Sequence, residues 1–153
     1  MMRTVEDYMS GYIILIKSAE MWYQSAHHVT KGPGFLSDHN DLYGNLYKDL
    51  GEHFDMLVEK SIALSGEETH ACPIILSNGI SKVLQEYDSP VDKSADKIVE
   101  LSLEIITSLI SSLTEVYEFF ESEGYLTLGL DDLLTSTASK YENYLYFFGQ
   151  RSK

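Results

Sequence analysis

Four side chains could do chemistry together. His27 and His39 flank the breaker Gly32-Pro33-Gly34, and Asp55 and Glu59 stand four residues apart further along the chain. Imidazole and carboxylate ligands with open positions suit Fe(II) and its oxidation. The i,i+4 spacing sets both carboxylates on one face of a helix, and the ends of two helices meeting at a turn bring two imidazoles together. Sixteen residues separate His39 from Asp55, about 24 Å along a straight helix, so the two halves cannot share a metal within one chain. A second copy lying antiparallel, with a two-fold axis near mid-helix, brings its Asp55 and Glu59 to these histidines and makes two equivalent sites.

The elements that must position these groups are helices. Pro33, Pro73 and Pro90 all fall between apolar-periodic segments, where helices tolerate them. Over about Val5 to His28, the residues Val5, Tyr8, Tyr12, Ile16, Ala19, Tyr23 and Ala26 recur at helical spacing. A second helix is predicted from Asp38 as N-cap, with Asp41 in its first turn, through Leu42, Leu46, Leu50, Phe54, Leu57 and Leu64 to Ser65-Gly66. A short or broken helix follows over about Ile74 to Tyr87, a segment that contains Asn78-Gly79. Ser89-Pro90-Val91-Asp92 reads as the start of a third long helix, carrying Ile98, Leu101, Ile105, Leu109, Val116 and Phe119 to about Glu123-Gly124. The last helix covers about Leu130 to Gly149. The long connection between the second and third long helices rules out a tight hairpin. It gives an all-α, ferritin-like four-helix bundle with a short helix in the crossover, expected as a single domain over residues 1–153.

Composition narrows the function. Eleven Lys and Arg face 24 Asp and Glu, for a formal net charge of −13. Nucleic-acid binding depends on neutralising phosphates, and no basic stripe or tail supplies that; Arg151-Ser152-Lys153 is too little. DNA is therefore not an expected partner. The acidic surface attracts cations. No apolar run approaches the ~20 residues that span a bilayer, and no signal-peptide pattern stands out. The single Cys72 excludes an intrachain disulfide and a Cys-rich zinc site, and a free thiol fits a reducing cytoplasm.

The sequence resembles the Dps-type mini-ferritins, the DNA-protection-during-starvation family of the ferritin-like superfamily. The matching residues are His27, Gly32, Phe35 and His39, then Leu46-Tyr47, then Glu52, Asp55 and Glu59 ahead of Ala63-Leu64-Ser65-Gly66. Nearer the C-terminus, Asp132-Leu133-Leu134-Thr135 and Lys140 with Tyr144-Leu145-Tyr146 resemble the family's last helix. The resemblance implies an iron-binding ferroxidase and iron-storage protein, cytoplasmic, assembled from two-fold dimers into a hollow dodecamer. It implies Fe(II) held by His27 and His39 of one chain with Asp55 and Glu59 of its partner. Peroxide or dioxygen is then the oxidant, and ferric oxide the stored product. Two departures stand out. The interval from His39 to Asp55 is one residue longer than the family pattern, which rotates everything beyond it by about 100° unless a π-bulge absorbs it. One turn after the second histidine the family usually has an acid, and here that position is Tyr43.

Asp41, Tyr43 and Glu52 are further candidates to touch the metal or support its ligands. Glu123, Asp131 and Asp132 resemble the acidic residues that line mini-ferritin three-fold pores, although acids near a helix N-terminus are also favoured by its dipole. The rival reading is a non-enzymatic ferritin-like shell or scaffold, with a decayed or purely structural metal site. Plainer roles are expected elsewhere. Glu67-Glu68-Thr69-His70 reads as loop, His28 as solvated or packed at a helix end, and His53 as polar surface or interface. Trp22 and the aromatic run Tyr144–Phe148 read as core.

Overall fold

The first helix opens on a capping box. Thr4 Oγ1 accepts from the Asp7 amide at 3.2 Å and the Asp7 carboxylate accepts from the Thr4 amide at 2.9 Å, satisfying two donors that a helix start leaves orphaned. The computed structural model describes residues 4–153; Met1, Met2 and Arg3 of the expected domain lie outside the described residues. Helix α1 covers Val5–Val29. After the Gly-Pro-Gly breaker a single turn, α2 (Phe35–Ser37), runs into a π-helical segment, Asp38–Gly44, and on into α3 (Asn45–Ser65). Then come a 3-10 turn (Thr69–Ala71), α4 (Pro73–Gln85), α5 (Ala95–Ser122) and α6 (Leu128–Arg151).

The four long elements α1, α3, α5 and α6 form the bundle. Helix α1 lies along α3 and α4, α5 lies along α6, and α1 also meets α5. Their apolar stripes close a core in which Ile13, Tyr23, Leu46, Leu50, Ile106 and Phe148 are fully buried. Cutting one of these leucines to alanine costs roughly 2–5 kcal/mol, from lost transfer energy plus the cavity left behind. Gly66 and Gly124 end α3 and α5 with φ of 73° and 74°, a left-handed conformation that glycine adopts without a Cβ penalty.

Two local expectations are corrected, and a third is decided between its two alternatives. Asp38 is not an N-cap: the helix starts upstream at Phe35, and the Asp38 carboxylate is buried against Arg151. Ser89-Pro90 does not start α5. Pro90 to Lys93 make a turn with Asp92 at φ 61°, and Ser94 is the cap, its Oγ accepting from the Lys97 amide at 3.1 Å. Helix α4 runs unbroken through Asn78-Gly79. Gly79 is there for closeness, because a Cβ on it would stand 2.5 Å from Ile14 Cδ1 on α1.

Candidate metal centre

The end of α1 and the π-segment bring His27 and His39 together. Their rings stack with centroids 3.7 Å apart and planes inclined by 16°. His27 Nδ1 lies 2.6 Å from the His39 carbonyl oxygen, and His39 Nδ1 lies 2.6 Å from the His27 carbonyl oxygen. A carbonyl only accepts, so each Nδ1 carries a proton and donates. In the neutral imidazole the other nitrogen, Nε2, then holds a free lone pair. A carbonyl partner on one ring nitrogen is the usual support for a histidine that binds metal through the other. The pairing also occupies the His27 carbonyl, near the end of α1, which helical hydrogen bonding would leave open. Partial burial holds the His27 imidazole below its ordinary range, outweighing its bond to the His39 carbonyl, and neighbouring His39, His28 and Lys48 act in the same direction. Tyr47 and Phe35 wall the pair, with ring centroids 5.2 Å from His27 and 4.9 Å from His39.

The π-segment explains the long interval from His39 to Asp55. A π-turn takes in one residue more than an α-turn, so the extra residue is absorbed between Asp38 and Gly44. It also decides which residue faces the histidines. Tyr43 is turned into the core, fully buried, stacked against Tyr23 and in tilted contact with Phe148. Burial drives its hydroxyl well above the usual tyrosine range, so it remains a neutral phenol. The residue beneath the pair is Gly44: a Cβ there would stand 2.6 Å from the His39 carbonyl oxygen and 3.3 Å from His27 Nδ1. Gly44 was not singled out from the sequence, though a glycine five residues after His39, inside the longer interval, was a signal for it.

The other candidates stand apart from this pair. Asp55 and Glu59 are exposed on α3, on either side of Met56, which is 51% exposed; Glu52 is exposed too. Asp41 is exposed, within 3.4 Å of Ser37 Oγ. Among the described residues, no three His, Cys, Asp or Glu side chains of the one chain converge as a metal site. Glu123 caps the C-terminal end of α5 and is exposed, as is Asp132; Asp131 is half-buried in the first turn of α6, beside Tyr117.

Two histidines differ from expectation or add to it. His53 is not surface: it is 7% exposed, with Nδ1 3.2 Å from the Tyr141 hydroxyl. Burial, reinforced by Lys140, pushes it down to about 4 against the partial opposition of Asp49. A helical stripe drawn through α3 that included His53 would have found it. His70 lies in the turn after α3 as expected, yet it is buried, with Nδ1 2.5 Å from Ser61 Oγ. His28 is exposed. Trp22 is core, its indole N–H bonded to the Asp88 carbonyl at 2.8 Å. Tyr144 and Phe148 are buried, but Tyr146 and Phe147 are 61% and 46% exposed, so only part of that aromatic run is core.

This architecture, four long helices with a short one in the crossover, defines a ferritin-like bundle. No family model matches the sequence, and no curated protein is similar to it in sequence. Solved structures are similar in fold. Dps from Staphylococcus aureus superposes with a TM-score of 0.82 at 19% identity, covering 97% of this chain and 95% of that one. The tetragonal form of Mycobacterium smegmatis Dps gives 0.77 at 17%, covering 94% and 83%. DpsA14 from Streptomyces coelicolor gives 0.75 at 15%, covering 94% and 81%. The chain has the Dps fold. No helix among the described residues is long and apolar enough to cross a membrane.

Proposed function

We propose that the protein is a Dps-like ferroxidase and iron-storage protein that binds Fe(II) between subunits. The observation that carries this reading is the reciprocal bonding of His27 and His39, which fixes both tautomers and leaves two Nε2 atoms as ligands. Two imidazoles still need carboxylates to hold Fe(II) with positions open for an oxidant. Asp55 and Glu59 of a two-fold-related copy supply them, on the same face of α3 and unpaired with any cation among the described residues. The contact has an apolar component available in Met21, Met56, Ile74 and Ile75, each more than two-fifths exposed. Fe(II) is the substrate. Each Fe(II) gives up one electron, so two Fe(II) and two protons reduce one peroxide to two waters, or four Fe(II) and four protons one dioxygen, and the ferric product passes into the cavity of a hollow homo-oligomer, whose acidic chains concentrate cations.

Gly44 favours a second reading. The acid that the family pattern has one turn after the second histidine is absent here, since Tyr43 is turned into the core and Gly44 carries no side chain, so the site has one ligand fewer and suits a structural ion or a shell that mineralises slowly. Anaerobic titration with Fe(II), followed by addition of peroxide or air and measurement of near-ultraviolet ferric absorbance, separates the two. Saturable binding with fast oxidation supports the ferroxidase. Binding without acceleration over iron in buffer supports the structural ion, and no binding supports a bare shell.

A further inference from the structure

We infer that Arg151, through Asp38, is a positioning residue for the histidine pair. The inference rests on the metal-binding reading of His27 and His39. Asp38 is the first residue of the π-segment and lies next to His39 in the chain. Its carboxylate is 1% exposed and takes three bonds from Arg151: Nε to Oδ1 at 3.1 Å, Nε to Oδ2 at 3.3 Å and Nη2 to Oδ2 at 3.1 Å. The remaining arm of the guanidinium, Nη1, bonds Asp96 in the first turn of α5 at 3.1 Å. One side chain at the end of α6 thereby ties the π-segment to α5.

A second contact runs parallel to it. Phe148, one turn earlier on α6, packs against Tyr43 with ring centroids 5.6 Å apart. The π-segment is thus held at its start by an ion pair and near its end by an aromatic contact, both from α6. Between them stands His39, whose carbonyl and Nδ1 are the two atoms engaged with His27. A π-turn is a less favourable local conformation than an α-turn and persists where its surroundings fix it. A planar two-point fork fixes orientation as well as distance, which the point charge of a lysine does not.

The test uses the assembled full-length protein, with Co(II) as a visible-absorption probe of the metal site. Deuterium exchange at the histidine C2 position, read by mass spectrometry on the peptide holding His39, reports the imidazole without any metal. Removing Arg151 alone strands a buried charge, so the informative variant is the double Asp38→Leu with Arg151→Met. It replaces the pair with apolar side chains, a change folded proteins often tolerate. The expected result is a folded, assembled protein with Co(II) binding weakened about tenfold or more and faster exchange at His39. Asp96→Asn, which touches only the arm to an 89%-exposed carboxylate, leaves both readouts unchanged. Arg151→Lys keeps the charge and loses the fork; it falls between the two, and it decides the question if the double variant does not fold. Wild-type affinity and exchange in a folded double variant or in Arg151→Lys overturns the inference. So does an equal loss in Asp96→Asn, which points to general charge. If the wild-type protein binds no Co(II), the metal-site reading fails, and His39 exchange alone decides the positioning.

Discussion

The carbonyl oxygen of His39 lies 2.6 Å from the point where a Cβ on residue 44 would stand, and Gly44 leaves that point empty. His27 Nδ1, which donates to the same oxygen, is 3.3 Å from that point. The glycine therefore does two things: it lets the π-turn close, and it lets the imidazole reach the carbonyl.

Gly44→Ala must push the His39 carbonyl or the His27 ring aside. We expect a loss of roughly 1–3 kcal/mol, typical of overpacking at a tight site, together with weaker metal binding as the reciprocal bonds break. Thermal unfolding and Co(II) titration read the two effects. Wild-type melting and affinity in this variant would show that the π-turn relaxes without disturbing the pair.

The site itself is tested by complementation. His27→Ala and Asp55→Ala should each abolish tight Fe(II) binding while leaving assembly intact, since neither residue contributes much apolar area. If His27 and Asp55 of one site come from different chains, a dimer of one His27→Ala chain and one Asp55→Ala chain has one site with both defects and one with none. Half of the binding capacity then returns in mixed dimers and none in either parent. Iron stoichiometry that stays at the wild-type level in both parents removes these residues from the site.

Iron needs a route into a closed shell, and carboxylates at a symmetry axis focus a cation there. Glu123, at the end of α5, and Asp132, in the second turn of α6, are both exposed and flank the same connection. The variant Glu123→Gln with Asp132→Asn should slow iron uptake several-fold with no change in oligomer mass by light scattering. Equal uptake at low and moderate ionic strength means that iron enters elsewhere.

Much of this was legible in the sequence because helical periodicity and terminators are local. The stripe through Tyr12, Ile16, Ala19, Tyr23 and Ala26 is buried as read, and Gly66 and Gly124 stop α3 and α5. The expectations that failed depended on distant partners. Asp38 has the side chain of an N-cap, but Arg151, far along the chain, claims it. His53 looks polar in isolation, yet Tyr141 on α6 makes it a core residue. The extra residue before Asp55 was visible, and so was the remedy of a π-bulge. What spacing did not show was that the bulge turns Tyr43 inward and leaves Gly44 beneath the histidines. The proposed meeting of Asp55 with a second chain's histidines depends on assembly, and the mixed dimers test it.

His53 gives the last prediction, on stability against pH. Its folded value is about 4, against an ordinary value of 6.5, because burial and Lys140 disfavour the charged ring. Above pH 6.5 the ring is neutral in both states and costs nothing. Between 6.5 and 4 the unfolded chain takes up a proton that the folded chain refuses, so the unfolded state gains and stability falls as pH falls. Below about 4 both states are charged and this contribution levels off. His27, held low in the folded protein chiefly by partial burial, acts in the same direction. Replacing His53 with glutamine removes the titrating group and keeps a partner for the Tyr141 hydroxyl. The variant should be somewhat less stable at neutral pH, through imperfect packing, but its melting temperature should fall less between pH 6.5 and 4.5 than that of the wild type. Measurements at one protein concentration and one ionic strength keep assembly from confounding the slope. Parallel slopes for the two proteins would mean that the buried imidazole is not what limits stability in mild acid.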